Sequence, residues 1–466
     1  MAQLKEKVGY GLGDMASSMF WKIFSYYLPI FYSTVFGLRL TDAGVLVLVT
    51  RVWDAVSDPM MGVIADRTQS RWGKYRPWLL WMALPFSLCG VLLFTTPDWQ
   101  YASKLVWAYV TYLLMMTVYT GINVPYGAML GVVTDNPRAK TVFSSFRMFF
   151  AYAGSFLSLA LWEPLCHFFS GQMQLSQEAS WQSAMVVVAT LCLLMFLGCF
   201  GLTREHVRTQ STVSVTSDFR SMLHNRPWFL LLGAALCFNL FCTVRGATVA
   251  FFFRDVIPVG ATLPLLGLAF FAGLFLSVGE VANMVGVAVA VPLSGRLGKK
   301  STFLLVNALL IGLSILFYFM PVTPVGFLLM LVLQVLISIL TGIMSPLVWS
   351  MYADVSDYAE LRYHTASTGL IFSSSSMAQK FGGAIGGAAV LWLLAACGYI
   401  TDDTQLAQGA VQPDSALHCL WLLMTFIPAL VSLLAIAVVS LYPLTTQRVE
   451  EINQQLRTLR NRQTER

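Results

Sequence analysis

With 466 residues, 57% hydrophobic and only 11% charged, the chain is too apolar for a soluble globular protein, in which about a quarter of residues are charged. Its mean hydropathy is +0.69. The formal net charge of +6 sits mainly between the apolar stretches, where it reads as membrane orientation and not as nucleic-acid binding.

Apolar stretches of roughly 20 residues, the length a helix needs to cross the hydrocarbon core, recur along the chain. Strict two-residue alternation is absent, so helices rather than a closed barrel are expected to satisfy the backbone in lipid. The first stretch, 14–38, follows a short polar segment, Met1 to Gly13. It contains Asp14 and Lys22 and has no small-residue cleavage site, so it is expected to stay as a helix and not to leave as a signal peptide. Further spans are expected at 43–65, 77–96, 104–131, 140–162, 180–202, 227–253, 263–293, 302–320, 325–352, 368–397 and 417–442. The eight cysteines show no CxxC spacing and mostly lie in apolar spans, which predicts neither a disulfide framework nor a metal site.

Loop charges test the count of twelve. If the N-terminus is cytoplasmic, twenty-one basic residues fall in the cytoplasmic segments. Only Arg39, Lys104 and Arg254 fall in the opposite loops. This asymmetry is the positive-inside pattern and predicts that both termini are cytoplasmic. The longest polar loop, 203–226, divides the chain into an N-terminal six-helix bundle (1–202) and a C-terminal one (227–442), with a cytoplasmic tail at 443–466. Two loops echo each other: Asp66-Arg67 through Arg71 and Gly73-Lys74-Tyr75-Arg76 follows span two, and Gly295-Arg-Leu-Gly-Lys-Lys300 follows span eight. Repeated halves with a midplane substrate site are a common transporter plan.

Ionisable groups inside spans are functional candidates by default. They are Asp14, Lys22, Arg51, Asp54, Asp58, Arg147, Arg245, Glu280 and Lys380, with Asp354 and Asp357 at the end of span ten. Arg51, Asp54 and Asp58 are three and four residues apart and share one helix face. Two adjacent carboxylates disfavour double ionisation, so the pair is suited to sharing a proton or binding a monovalent cation. A structural salt bridge from Arg51 would account for only one of them. In span four, Thr120, Asn123 and Gly127 share a face beside Pro125, which can free backbone carbonyls for binding or simply kink the helix. Trp78, Trp99 and Trp107 read as interface anchors, and Ser373 to Ser376 as packing contacts between helices. Five basic residues against four acidic ones within the spans favour an anionic solute.

The stretch Arg51-Val-Trp-Asp-Ala-Val-Ser-Asp-Pro-Met-Met-Gly62, followed by Arg71-Trp-Gly-Lys-Tyr-Arg-Pro-Trp78, resembles the signature of the glycoside–pentoside–hexuronide:cation symporters. Gly11-Leu-Gly-Asp14, Asn123-Val-Pro-Tyr126, Ala353-Asp-Val-Ser-Asp-Tyr358 and Lys380-Phe-Gly-Gly383 are similar in the same order. The resemblance implies an all-α major-facilitator fold of two pseudo-symmetric six-helix bundles and alternating access. It places the cation site at Asp54, Asp58 and Thr120, with Ser57 where the melibiose permeases have asparagine. The coupling ion, H+ or Na+, stays open. Asp14, Asn123, Arg147 and Lys380 would lie at or beside the sugar, and we add Lys22, Tyr126 and Arg245 to that set. Arg51, Arg71, Lys74, Asp354 and Asp357 are expected to act in conformational change. Asn123 and Gly127 depart from the aspartate and tryptophan of the melibiose permeases, and the Asn-x-Pro-Tyr form is closer to the glucuronide carriers.

The expected protein is a monomeric, multi-pass transporter of a bacterial inner membrane. Its solute would be a sugar, glycoside, uronide or sulfonated sugar, with no cofactor beyond the coupling ion. An uncoupled facilitator or exporter of a small organic anion is the alternative. No recognisable nucleophile, metal or acid–base motif marks a membrane enzyme.

Overall fold

The computed structural model describes residues 2–133, 137–206, 225–264, 267–363, 368–401, 411–452 and 454–455. Most of the central loop and the basic residues at the end of the tail lie outside them, as do the side chains of Arg138, Lys140 and Ser373 to Ser376. The described residues form twelve long helices. In the first half, α1 (Ala2–Tyr26) is extended by Leu28–Ile30 and a π-helical turn, Phe31–Val35. It is followed by α2 (Leu40–Arg67), α3 (Arg76–Leu93), α4 (Tyr101–Val133), α5 (Pro137–Gly171) and α6 (Gln177–Leu202). The second half has α7 (Arg226–Asp255), α8 (Ala272–Leu297), α9 (Lys299–Tyr318), α10 (Pro324–Tyr363) and α11 (Thr368–Ala396). The last span, α12, is Asp414–Met424 continued past Thr425 by Phe426–Ser440.

Ten of these helices are long and apolar enough to cross a membrane. The other two, α1 and α2, have 25 and 28 residues but carry Asp14, Lys22, Arg51, Asp54 and Asp58, which lower their hydropathy. On α2 the outward stripe Val45, Val49, Val52, Val56, Met60 and Val63 is exposed, as a lipid-facing surface should be. Arg51, Asp54 and Ser57 point the other way and are buried.

The packing repeats with an offset of six. Helix α1 packs on α5 and α6, as α7 packs on α11 and α12; α2 on α4, as α8 on α10; α3 on α4 and α6, as α9 on α10 and α12. The two halves meet through α2–α11 and α5–α8, which are themselves symmetry-related pairs. The echoing loops sit in equivalent places. Arg76 Nε, opening α3, donates to Phe200 O at the end of α6 (2.8 Å). Lys300 Nζ, opening α9, donates to Ser440 O (2.9 Å) and Tyr442 O (2.7 Å) at the end of α12. In each half a cation at the start of the third helix satisfies carbonyls at the C-terminus of the sixth, where the helix dipole also favours positive charge.

Several helices outrun their expected bounds. Helix α1 begins at Ala2, so most of the polar N-terminal segment is helical. Helix α5 runs to Gly171, nine residues past the expected end at 162, and brings Glu163 into the span. Helix α10 continues to Tyr363 and contains Asp354 and Asp357. Pro125 does not end α4, which runs unbroken through it. The helix is kept although proline removes one ladder donor.

Candidate functional site

Helix α2 presents Asp54 and Asp58 towards α4, which supplies Thr120. The Thr120 hydroxyl lies 3.0 Å from Asp54 Oδ1 and 2.9 Å from Asp58 Oδ1. Ser57 Oγ is 3.5 Å from the same hydroxyl and donates to Asp54 O at 3.2 Å. One hydroxyl carries one proton, so it can satisfy only one carboxylate at a time. From the other half, Lys380 on α11 reaches across. Its ammonium is hydrogen-bonded to Asp58 Oδ2 and lies 3.2 Å from Asp54 Oδ2. Asp54 is fully buried, and its Oδ2 keeps this ionic neighbour without a hydrogen bond. The cluster therefore gathers oxygen ligands from two helices, Asp54 and Thr120 buried and Asp58 half-buried, around a lysine from the opposite half.

Arg51 does not pair with either aspartate. Its guanidinium stacks on Trp21 at 4.4 Å, and its Nε and Nη1 are buried without a hydrogen-bond partner. Asp14 and Arg147 form an ion pair of 2.9 Å between α1 and α5. Tyr126, expected near the sugar, is fully buried, stacks on Tyr10 and donates to Tyr10 O at 2.6 Å. That leaves it no surface for a solute. Asn123 is half-buried on α4.

A cavity of about 350 Å³ lies between the halves, lined by α1, α2, α7, α8, α10 and α11, with Tyr112 of α4 and Tyr152 of α5. Of the residues expected to bind substrate, Lys22 and Arg245 line it, joined by Arg51; Asp14, Asn123, Tyr126, Arg147 and Lys380 do not. Lys22 on α1 pairs with Glu280 on α8, another tie between halves. Arg245 is buried and occupied: Nη1 donates to Met424 O (2.7 Å) and Nη2 to Gln334 Oε1 (2.9 Å), with the guanidinium 4.8 Å above Phe317. Helix α12 breaks at Thr425, and Pro428, four residues after Met424, has no N–H to donate, so the Met424 carbonyl is free and gives Arg245 a structural task.

The residues expected to act in conformational change are dispersed. Arg71 is exposed and lies over Trp72 at 4.3 Å. The Lys74, Tyr75 and Arg76 amides all donate to the Glu205 carboxylate, at 2.8, 2.7 and 2.7 Å, so Glu205 caps the start of α3. Asp354 is buried and pairs with Lys299 at 2.7 Å, while Asp357 is half-buried one turn on.

Sequence reasoning missed two groups. Glu163, placed beyond its span, accepts from Tyr27 Oη (2.9 Å) and from the Gly273 amide at the start of α8 (3.0 Å). Gln334, Ser338, Thr341 and Ser345 line the cavity from α10. Their spacing of four, three and four within an apolar span was the signal available for them.

The sequence matches a family model described as "MFS/sugar transport protein" over residues 9–446. It is 34% identical over 456 residues to the "Inner membrane symporter YicJ" of Escherichia coli (strain K12), covering 97% of this chain and 95% of that one. It is 35% identical over 457 residues to the "Putative glycoside/cation symporter YagG" of the same organism, with the same coverage. Among solved structures, the nucleoside transporter NupG superposes with a TM-score of 0.65 at 12% identity, covering 94% of this chain and 98% of that one, which speaks to the fold alone.

Proposed function

We propose, for a chain that belongs to the MFS/sugar transport protein family, that it is a cation-coupled symporter of a glycoside. The solute would occupy the cavity between the halves and cross by alternating access, unchanged chemically. The name of the relative YagG supports the solute class. The observation that carries the coupling is the Asp54–Asp58–Thr120 cluster with Lys380 set against it.

The electrostatics give the coupling a route. Two carboxylates face one ammonium, and Arg51, stacked on Trp21, makes no ion pair with either. One carboxylate thus lacks a direct ionic partner of its own in a largely buried site, which is costly. A proton on either carboxylate, or Na+ among the oxygens of Asp54, Asp58 and Thr120, relieves that cost. Either event weakens the hold of α2 on Lys380, and that hold is a tie between the two halves. Arg51 precedes Asp54 by three residues and opens onto the cavity, while Gln379, next to Lys380, lines the same space. Cation entry and solute entry would thus be felt by neighbouring residues of the same two helices. The positive-inside pattern supports cytoplasmic termini, and the name of the relative YicJ supports an inner membrane. One chain supplies both halves of the cavity, which supports a single chain as the working unit.

The test is uptake into proteoliposomes of a panel of glucosides, galactosides and xylosides under imposed Na+ or H+ gradients. Accumulation above the equilibrium level with one gradient, abolished when that gradient is collapsed, is expected. Gradient-independent equilibration of the same sugars would replace symport by facilitated diffusion.

A further inference from the structure

The cavity has two unlike walls. On one side stand the charged groups of α1 and α2. On the other, α8 and α10 present a nearly neutral surface of amides and hydroxyls. Thr341 Oγ1 donates to Asn283 Oδ1 at 2.9 Å, and Gln334 Nε2 to Ser338 Oγ at 3.4 Å. Glu280 stands one turn before Asn283, its carboxylate already held by Lys22.

This wall is built rather than incidental. A Cβ at Gly342 would collide with Asn283 O, and one at Gly286 with Ile339 O. The two glycines let α8 and α10 approach closely enough to fix Asn283 against Thr341. Among the described residues, Asn283 Nδ2 meets no acceptor, although Asn283 lines the cavity. A half-buried amide whose oxygen is engaged and whose NH2 lacks an acceptor, on a residue lining a cavity, is suited to meet a ligand acceptor.

From this geometry we infer that the α8–α10 wall is a hydroxyl-reading subsite for an uncharged sugar ring, formed by Glu280, Asn283 and Thr341. The inference rests on the proposed glycoside reading and specifies which part of the solute meets which wall. A ring hydroxyl donates and accepts at once, which matches an amide donor beside a carboxylate acceptor. The Lys22–Glu280 pair is internally compensated, so this wall asks for no charge on the ring. An acidic group here would meet the Glu280 carboxylate.

The experiment is a binding matrix on the purified full-length protein. A panel of xylosyl-, galactosyl- and glucosyl-disaccharides identifies the tightest, and its monodeoxy series is then measured on wild type, Asn283→Ala and Thr341→Val. At least one deoxy position should weaken wild-type binding by about tenfold or more, as for a hydroxyl meeting a buried polar partner. At that position Asn283→Ala or Thr341→Val should discriminate by less than about twofold, because the partner of the missing hydroxyl is already gone. The same deoxy ranking on all three proteins would overturn the subsite. If no disaccharide binds wild type, the glycoside reading itself fails and the subsite falls with it. Because the comparison is between ligands on one protein, a variant that is merely less stable does not imitate the expected result.

Discussion

Lys380 Nζ lies 3.2 Å from Asp54 Oδ2, so a helix of the second half places its ammonium against the paired carboxylates of the first. The lysine stands where a coupling cation would be drawn. A positive charge this close repels a second cation approaching the same carboxylates. Replacing Lys380 by Met should therefore tighten binding of the coupling cation by at least about tenfold. Isothermal titration with Na+, or the pH midpoint of sugar binding if the ion is H+, provides the measurement. An affinity equal to that of wild type would show that lysine and cation do not compete.

Asp58→Asn should separate binding from accumulation. It keeps the shape of the side chain and removes one of the two negative charges facing Lys380, so the cluster no longer needs a cation for balance. Gradient-driven accumulation should be lost, while exchange of internal for external sugar continues. Concentrative uptake at the wild-type rate in Asp58→Asn would remove this carboxylate from the coupling scheme.

The Lys22–Glu280 pair makes a different kind of prediction. Removing one member of a buried pair costs more than replacing both, because the remaining charge is left alone. Lys22→Met and Glu280→Gln should each destabilise the protein by roughly 3 kcal/mol, towards the lower end for buried pairs because the lysine side chain is 22% exposed. The double variant should recover most of that loss. Thermal unfolding in detergent reports this, and strictly additive single and double effects would argue against a coupled pair.

Glu163 joins α1 and α5 of the first half to the start of α8 in the second, through Tyr27 Oη and the Gly273 amide. In the symmetry-related interface, Trp392 Nε1 donates to Thr41 O at 3.2 Å between α11 and the start of α2, a second tie between the halves. Glu163→Ala should loosen the tie at Gly273. Faster hydrogen exchange at Gly273, with unchanged exchange at the Glu205-capped start of α3, is the expected signature. Unaltered protection of Gly273 would mean that helix packing alone holds this junction.

Much of this arrangement could be read from residue order. The face shared by Arg51, Asp54 and Asp58 follows from spacing, and the repeated basic loops mark the six-helix offset that the packing displays. The cross-half partners could not be read. Nothing in the sequence says that Lys380 reaches α2, that Lys22 meets Glu280, or that Arg51 rests on Trp21, because such pairings depend on how the helices dock. Arg245 resembled a solute ligand because a buried guanidinium usually does. Its task at Met424 depends on the break in α12, where Pro428 has no N–H to give the Met424 carbonyl; the sequence marks that carbonyl as free but does not say that Arg245 takes it. Tyr126 was misplaced for a related reason: a motif gives its position on the helix but not the neighbour, Tyr10, that covers it.

The ion pairs also bear on the charge of the solute. Counted over the expected spans, five basic residues face four acidic ones, which favoured an anion. Glu163 inside α5 adds a fifth acidic residue against the five basic ones, before Asp354 and Asp357 in the extended α10 are considered. Three of the basic residues are also paired, Lys22 with Glu280, Arg147 with Asp14, and Lys380 with the α2 aspartates. Arg245 is held by Met424 O and Gln334, which leaves Arg51. That guanidinium is buried and lacks partners for two nitrogens, but it is three residues from Asp54 and within the field of its carboxylate. A neutral glycoside should thus bind at least as well as its matched glucuronide or 6-sulfonate. Displacement of a bound disaccharide by the three matched ligands measures this directly. Tighter binding of the acidic members, lost in Arg51→Gln, would assign their anionic group to Arg51 and make the solute a uronide or sulfonated sugar.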